Sequence, residues 1–313
     1  MSFSNFRIKI PKMCDSKTSK IMMIRISFLA LASAVTCFAG LRNYIQIVLS
    51  IIFRDVFLLD PSQATLLKTI AKQPWNMKLL FGMVMDLRPM PKVYLILANV
   101  ITCLGLYGIV NSSDPIQLTL AMLALNLGGA MASVVMGGEM IKWTNLSPQS
   151  RVFNTQVQSF TSIAFAVGGV ISSLLGGYIV KTYGPYYFIM GLVPFSGVVM
   201  IASLLYKSVG SEPTQFRQIY SKLKLVFSAF FSPAIFRPML FLLIQNATSI
   251  SIYEGMTYFR LSIGMDAQIL GYADTFSFFG MAIGSWLFQR YMTMSNIRNV
   301  MIWSTIGTFF KLT

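Results

Sequence analysis

Apolar stretches of about 20 residues, the length that crosses a bilayer as a helix, recur along the chain. They lie near 26–53, 64–86, 93–110, 115–141, 157–180, 185–206, 239–259 and 269–289. A ninth run at 300–310, "VMIWSTIGTFF", is too short to cross. It predicts that the chain stops inside an element, either as a truncated product or because a longer native protein continues beyond Thr313. The pattern describes an all-α, polytopic membrane protein with eight spans and part of another.

Composition agrees. Of 313 residues, 55% are hydrophobic and 11% charged, where a soluble domain carries roughly 25% charged. The net charge of +15 would suit a nucleic-acid binder, but its placement argues against one. Six Lys or Arg lie in the arm through Arg25, five in 207–237, and two each in 86–92, 142–156 and 290–298. These seventeen of twenty-five fall on one side of alternating spans. Cytoplasmic loops are enriched in Lys and Arg, so the N-terminus is expected in the cytoplasm, with basic segments near anionic lipid. Nothing chooses between a plasma and an organellar membrane.

The first run lacks a small-residue cleavage site and reads as a retained span. Cys14, Cys37 and Cys103 give neither a disulfide framework nor zinc spacing. Histidine is absent, which excludes a His-based proton relay, metal site or catalytic triad. No cofactor is expected.

The longest interval without a span is 207–237, basic and partly amphipathic. The expected organisation is a cytoplasmic arm (1–25), a six-helix half (26–206), a cytoplasmic linker (207–237) and an incomplete second half (238–313). Two six-helix halves make the major facilitator plan. Small residues mark close helix contacts in lipid: Gly128, Gly129, Ala132 and Gly137 in span four, Gly169, Ser173 and Gly177 in span five, Gly280 and Gly284 in span eight.

Span two holds "PWNMKLLFGMVMD", residues 74–86. On one continuous helix Trp75, Lys78, Gly82 and Asp86 share a face. Asp86 sits at the cytoplasmic end, and Lys78 lies about 12 Å deeper at about 1.5 Å per residue. A lysine at mid-membrane costs about 2.5 to 3.5 kcal/mol, so it faces the protein interior or a water-filled cavity. It either pairs with an acid on another helix or attracts an anionic substrate. Pro74 kinks the helix in both cases.

This stretch resembles the signature of the folate-biopterin transporter family, a branch of the major facilitator superfamily. Pro74, Trp75, Lys78, Phe81, Gly82 and Asp86 carry the likeness, with Leu79 where the family has proline. "LLDPSQATLL", "AVGGVISSLLGGYIV", "FRPMLFLLIQNATSISIYEGMTYFRLSIGMDAQILGYAD" and "GSWLFQRYMTMSNIR" extend it over about 27–310. The loop after Asp86 is shorter than the family's. Ser133 and Gly137 stand where the family has aspartates, leaving Glu139 as the nearby acid. The resemblance implies a secondary transporter, moving folate or pterins (biopterin) by alternating access, with protons as a candidate coupling ion.

The remaining intramembrane charges take roles on that basis. Lys78, Arg42 and Trp75 are expected to meet an anionic small-molecule substrate. Arg42 alternatively pairs with Glu254 or Asp274. Those two acids and Glu139 are the candidates for proton coupling or ion pairing. Asp86 and Arg88, with Gly82, are expected to form a cytoplasmic gate, which Glu139 is placed to join. A truncated, non-transporting relative acting as a membrane partner or receptor is the alternative. An intramembrane enzyme is disfavoured, since no span carries a paired-acid or nucleophile motif.

Overall fold

The computed structural model describes residues 16–145, 150–206, 224–225, 228–248 and 253–292. Nearly all are helical, and no strand occurs among them. The helices are α1 (Ser16–Asn43), α2 (Ile45–Ile51), α3 (Pro61–Ala71), α4 (Lys78–Leu87), α5 (Pro91–Val110), α6 (Pro115–Asn145), α7 (Ser150–Tyr183), α8 (Pro185–Gly191), α9 (Val193–Leu205), α10 (Pro233–Thr248), α11 (Tyr253–Ser262) and α12 (Ala267–Leu287).

Proline begins α3, α5, α6, α8 and α10. Its missing N–H costs nothing in a first turn, and its fixed φ suits a helix. Gly184, at φ +100°, separates α7 from α8 in a conformation that side chains rarely adopt.

Five segments are long and apolar enough to cross a membrane: Ser27–Val56, Pro91–Val110, Pro115–Asn145, Asn154–Tyr183 and Pro185–Leu205. They coincide with expected spans one, three, four, five and six, and make this a multi-pass membrane protein. Span eight corresponds to α12, of 21 residues. Span seven falls on α10 and α11, with 249–252 outside the described residues. The ninth run, the arm to residue 15 and most of the 207–237 linker also lie outside them.

Span two differs from expectation. It is not one helix but α3, a 3-10 turn at Gln73–Trp75, and α4 starting at Lys78. Pro74 has no N–H to give the carbonyl four residues back, so the α ladder stops there. Trp75 and Lys78 therefore sit on a turn and a helix start rather than along one stripe.

Small residues bring the long helices together. A Cβ on Gly40 would lie 2.0 Å from the Phe165 carbonyl oxygen, and one on Gly168 2.1 Å from that of Cys37, so α1 and α7 touch backbone to backbone. Gly105 and Gly128 do the same for α5 on α6, and Gly271 meets Ser173 where α12 crosses α7. Gly137, Gly280 and Gly284 differ from expectation: nothing among the described residues lies within 4 Å of a Cβ placed there.

Two apolar clusters fill the bundle. One gathers around Tyr44, Ile45, Ile52 and Phe53 with Leu106, Ile109 and Phe188. The other joins Phe28, Leu31 and Leu95 to Trp143, Val157 and Tyr206. Large apolar side chains such as Leu104, Tyr107, Ile116 and Ile141 point outward, as a lipid-facing surface requires.

Candidate functional site

Between these clusters lies a cavity of about 270 Å³, walled by α1, α5, α6, α7 and α9 and by the Trp75 turn. Its lining is mostly apolar, with Phe28, Phe38, Met136 and Val157 beside the polar Thr36, Asn99, Thr102, Ser133 and Thr161. Arg42 and Trp75 also line it. Thr36 and Thr102 donate to the carbonyls four residues back, at 2.7 and 2.8 Å. Their oxygens remain acceptors toward the space they border.

The break in span two sets the geometry of the third expected group. Lys78 opens α4, and its Nζ lies 3.1 Å from Ser133 Oγ on the cavity wall. The same ammonium sits 4.5 Å from the Trp75 ring centre, a cation–π contact. Trp75 Nε1 donates to Asn126 Oδ1 at 3.0 Å, which fixes the indole.

Arg42 arrives from the last turn of α1. Its Nη1 donates to the Leu125 carbonyl at 3.4 Å, and its guanidinium lies 5.5 Å from the Phe38 ring centre. Gly129 makes room: a Cβ there would meet Nη2 at 2.6 Å. Arg42 Nε is buried without a hydrogen-bond partner. Thus Arg42 and Trp75, taken from separate elements, line one cavity, and Lys78 contacts two of its wall residues, Ser133 and Trp75.

The acids are arranged otherwise than expected. Asp274 is half-buried on α12 and near enough to feel Arg260; it is not among Arg42's contacts. Arg42 is instead held by a carbonyl and a ring, because α1 meets α6 at its glycine face. Glu254 lies on α11, with its side chain outside the described residues. Glu139 does not join Asp86 and Arg88: it is 1% exposed and turned inward. It bonds Lys142 at 2.7 Å and accepts from the Tyr206 hydroxyl. Asp86 and Arg88 are exposed and share no ion pair. Gly82 is half-buried, 3.9 Å from Val134 through a notional Cβ.

Asn126 escapes the sequence reading, and Ser133 enters it only as standing where the family has an aspartate, not as a partner of Lys78. Asn126 and Ser133 hold the tryptophan and the lysine, yet as uncharged residues in an apolar run they give no signal by themselves. Lys68 also went unremarked. It is 2% exposed on α3, donating to the Gln46 carbonyl at 2.9 Å and to Ser50 Oγ at 2.7 Å. Its signal was the one that singled out Lys78, a lysine inside an expected span.

A bundle that crosses the membrane several times around a partly polar cavity between its helices defines a polytopic membrane protein. The chain belongs to the BT1 family, whose model matches residues 39–312. It is 24% identical to "Probable folate-biopterin transporter 4" of Arabidopsis thaliana, over 90% of this chain and 71% of that protein. It is 25% identical to the "Folate-biopterin transporter" of Synechocystis sp., over 85% of this chain. "Probable folate-biopterin transporter 2" of Arabidopsis thaliana is 21% identical over 81% of this chain. The chain spans about half of these last two, 55% and 53% of their length.

Proposed function

We propose that this chain is a secondary transporter of folate or pterins rather than an enzyme, working by alternating access. The observation that supports the reading is that Arg42 and Trp75 line one cavity and Lys78 packs on its wall residues Ser133 and Trp75. The names of the relatives supply the substrate class. A pterin is flat and rich in N–H donors. Trp75 offers it a ring face, Thr36 and Thr102 offer acceptor oxygens, and the two cations meet a carboxylate.

With the N-terminus in the cytoplasm, the Phe28 end of α1 and the Met140 end of α6 are the inner ends. The cavity then lies toward the cytoplasm, while α7 and α12 are tied at the outer end by Lys181 and Asp266 at 2.8 Å. This supports an inward-facing state with a six-helix half at 26–206, a linker at 207–237 and a second half at 238–313. Asp86, Arg88 and Gly82 remain the inner gate, parted in such a state. Glu139, Asp274 and Glu254 are the carboxylates through which protons would couple. Uptake insensitive to the pH gradient would sink that coupling.

Uptake of labelled folate and biopterin by cells expressing the chain, beside vector controls, tests the proposal. Saturable uptake of either is expected. Lys78→Ala is expected to abolish it at unchanged membrane level. No uptake with the protein confirmed in the membrane overturns the reading, and loss of the Lys78→Ala protein from the membrane makes Lys78 structural instead.

A further inference from the structure

We infer that the cavity selects by charge, taking a flat heterocycle that carries at least one carboxylate in preference to a neutral one, and that Ser133 determines this selectivity. The inference rests on the transport reading and deepens it.

Arg42 lines the space and Lys78 sits against its wall residues Ser133 and Trp75, and the described partners of both cations are neutral. Arg42 has the Leu125 carbonyl and the Phe38 ring, with its Nε buried and unbonded. Lys78 has Ser133 Oγ and the Trp75 ring. No carboxylate lines the cavity among the described residues. The acids of the surrounding elements are engaged or placed elsewhere. Glu139, on the same helix as Ser133, is held by Lys142 and Tyr206. Asp86, on the same helix as Lys78, is exposed. Asp274 lies on α12, which contributes nothing to the lining.

Removing a cation from water is costly unless an opposite charge compensates it, and among the described residues none faces these two. The compensating charge has to come with the ligand. Rings and carbonyls stabilise an ammonium or guanidinium only in part, so an anion gains at this site what a neutral molecule of the same shape does not.

Ser133 is where that choice is made. Asn126, Gly129 and Ser133 recur at i, i+3 and i+7 and so share one face of α6. That face seats all three groups: Asn126 bonds Trp75, Gly129 admits the Arg42 guanidinium, and Ser133 accepts from Lys78. Gly129 and Asn126 set position without affecting charge. Ser133 is the direct partner of an ammonium, and its hydroxyl leaves the charge intact. A carboxylate at 133 would form an internal ion pair with Lys78 and withdraw that charge from the ligand.

The test is binding to the purified full chain in lipid nanodiscs, with carboxypterin and neutral biopterin as probes. Wild type is expected to prefer carboxypterin by about tenfold or more, the factor that about 1.4 kcal/mol of charge complementarity gives. Ser133→Asp is expected to remove or invert that ratio, while Ser133→Ala keeps it. If Ser133→Asp fails to fold, Lys78→Gln takes its place, with the ratio expected to fall toward one. Equal binding of both probes by wild type, or an unchanged ratio in the charge variant, overturns the inference while leaving the transport reading standing. Binding of neither probe overturns both.

Discussion

At the scale of single residues, Gly128 and Gly129 are chain neighbours with opposite meanings. A Cβ at 128 would lie 2.4 Å from the Ala98 carbonyl oxygen and 2.3 Å from Thr102 Oγ1, inside the α5–α6 contact. A Cβ at 129 would meet first the tip of Arg42, with Nη2 at 2.6 Å. Backbone cannot yield as a flexible side chain can. Gly128→Ala is therefore expected to destabilise the fold by about 1–3 kcal/mol, the cost of overpacking, and to lower the melting temperature in detergent. Gly129→Ala should leave that temperature nearly unchanged and weaken substrate affinity by displacing the guanidinium. Equal melting losses in the two variants would contradict this division. The sequence marked both glycines alike, as small residues in a span. Arg42, Trp75 and Lys78 were legible because a charge, or a ring beside one, stands out against an apolar run. Asn126, and the bond that Ser133 makes to Lys78, were not, since an amide or hydroxyl in a span reads equally as a back-bond to its own helix, as Thr119 and Thr144 make at 2.7 and 2.9 Å.

At the scale of elements, hydropathy located spans one and three to six, because each is an apolar helical run long enough to cross a bilayer, even where two helices follow one another directly, as α1–α2 and α8–α9 do. Span two was read as one helix and is two with a turn between. Hydropathy averages over a break, and Pro74, the residue that makes it, was read as a kink. The consequence is functional. The 3-10 turn carries Trp75 to Asn126 and places Lys78 Nζ 4.5 Å from the indole centre. Pro74→Ala restores the missing N–H and favours a continuous helix from α3 into α4. Trp75 then leaves both partners, giving up a cation–π contact and a hydrogen bond worth together about 1.5 kcal/mol. The expected result is a KM for uptake raised about tenfold at undiminished membrane level, measured from concentration-dependent uptake. An unchanged KM would mean that the break does not position the indole.

At the scale of the whole molecule, α7 packs along α12, with Gly169 and Phe165 against Phe278, and two further ties lie at the end of the bundle that the proposed topology places outside. These two outer ties differ in kind. Lys181 and Asp266 pair at 2.8 Å with both side chains about half exposed. Tyr44, fully buried, donates its hydroxyl to the Ala267 carbonyl at 2.6 Å while its ring stands edge-on to Phe188, 5.5 Å away. Water screens the first tie, which contributes about 0.2–1 kcal/mol at most. The second is an interhelical bond out of water, for which membrane proteins average about 0.6 and reach about 1.7 kcal/mol. Tyr44→Phe keeps the ring and removes only the donor, so its melting temperature should fall further than that of Lys181→Ala. Alternating access adds a kinetic expectation. If the outer ends part once per cycle, the Tyr44 bond is broken on every turnover, and losing it eases opening. Tyr44→Phe should then melt earlier yet transport at an undiminished maximal rate. A folded Tyr44→Phe protein whose maximal rate collapses would mean that the bond helps form the working state instead of restraining it.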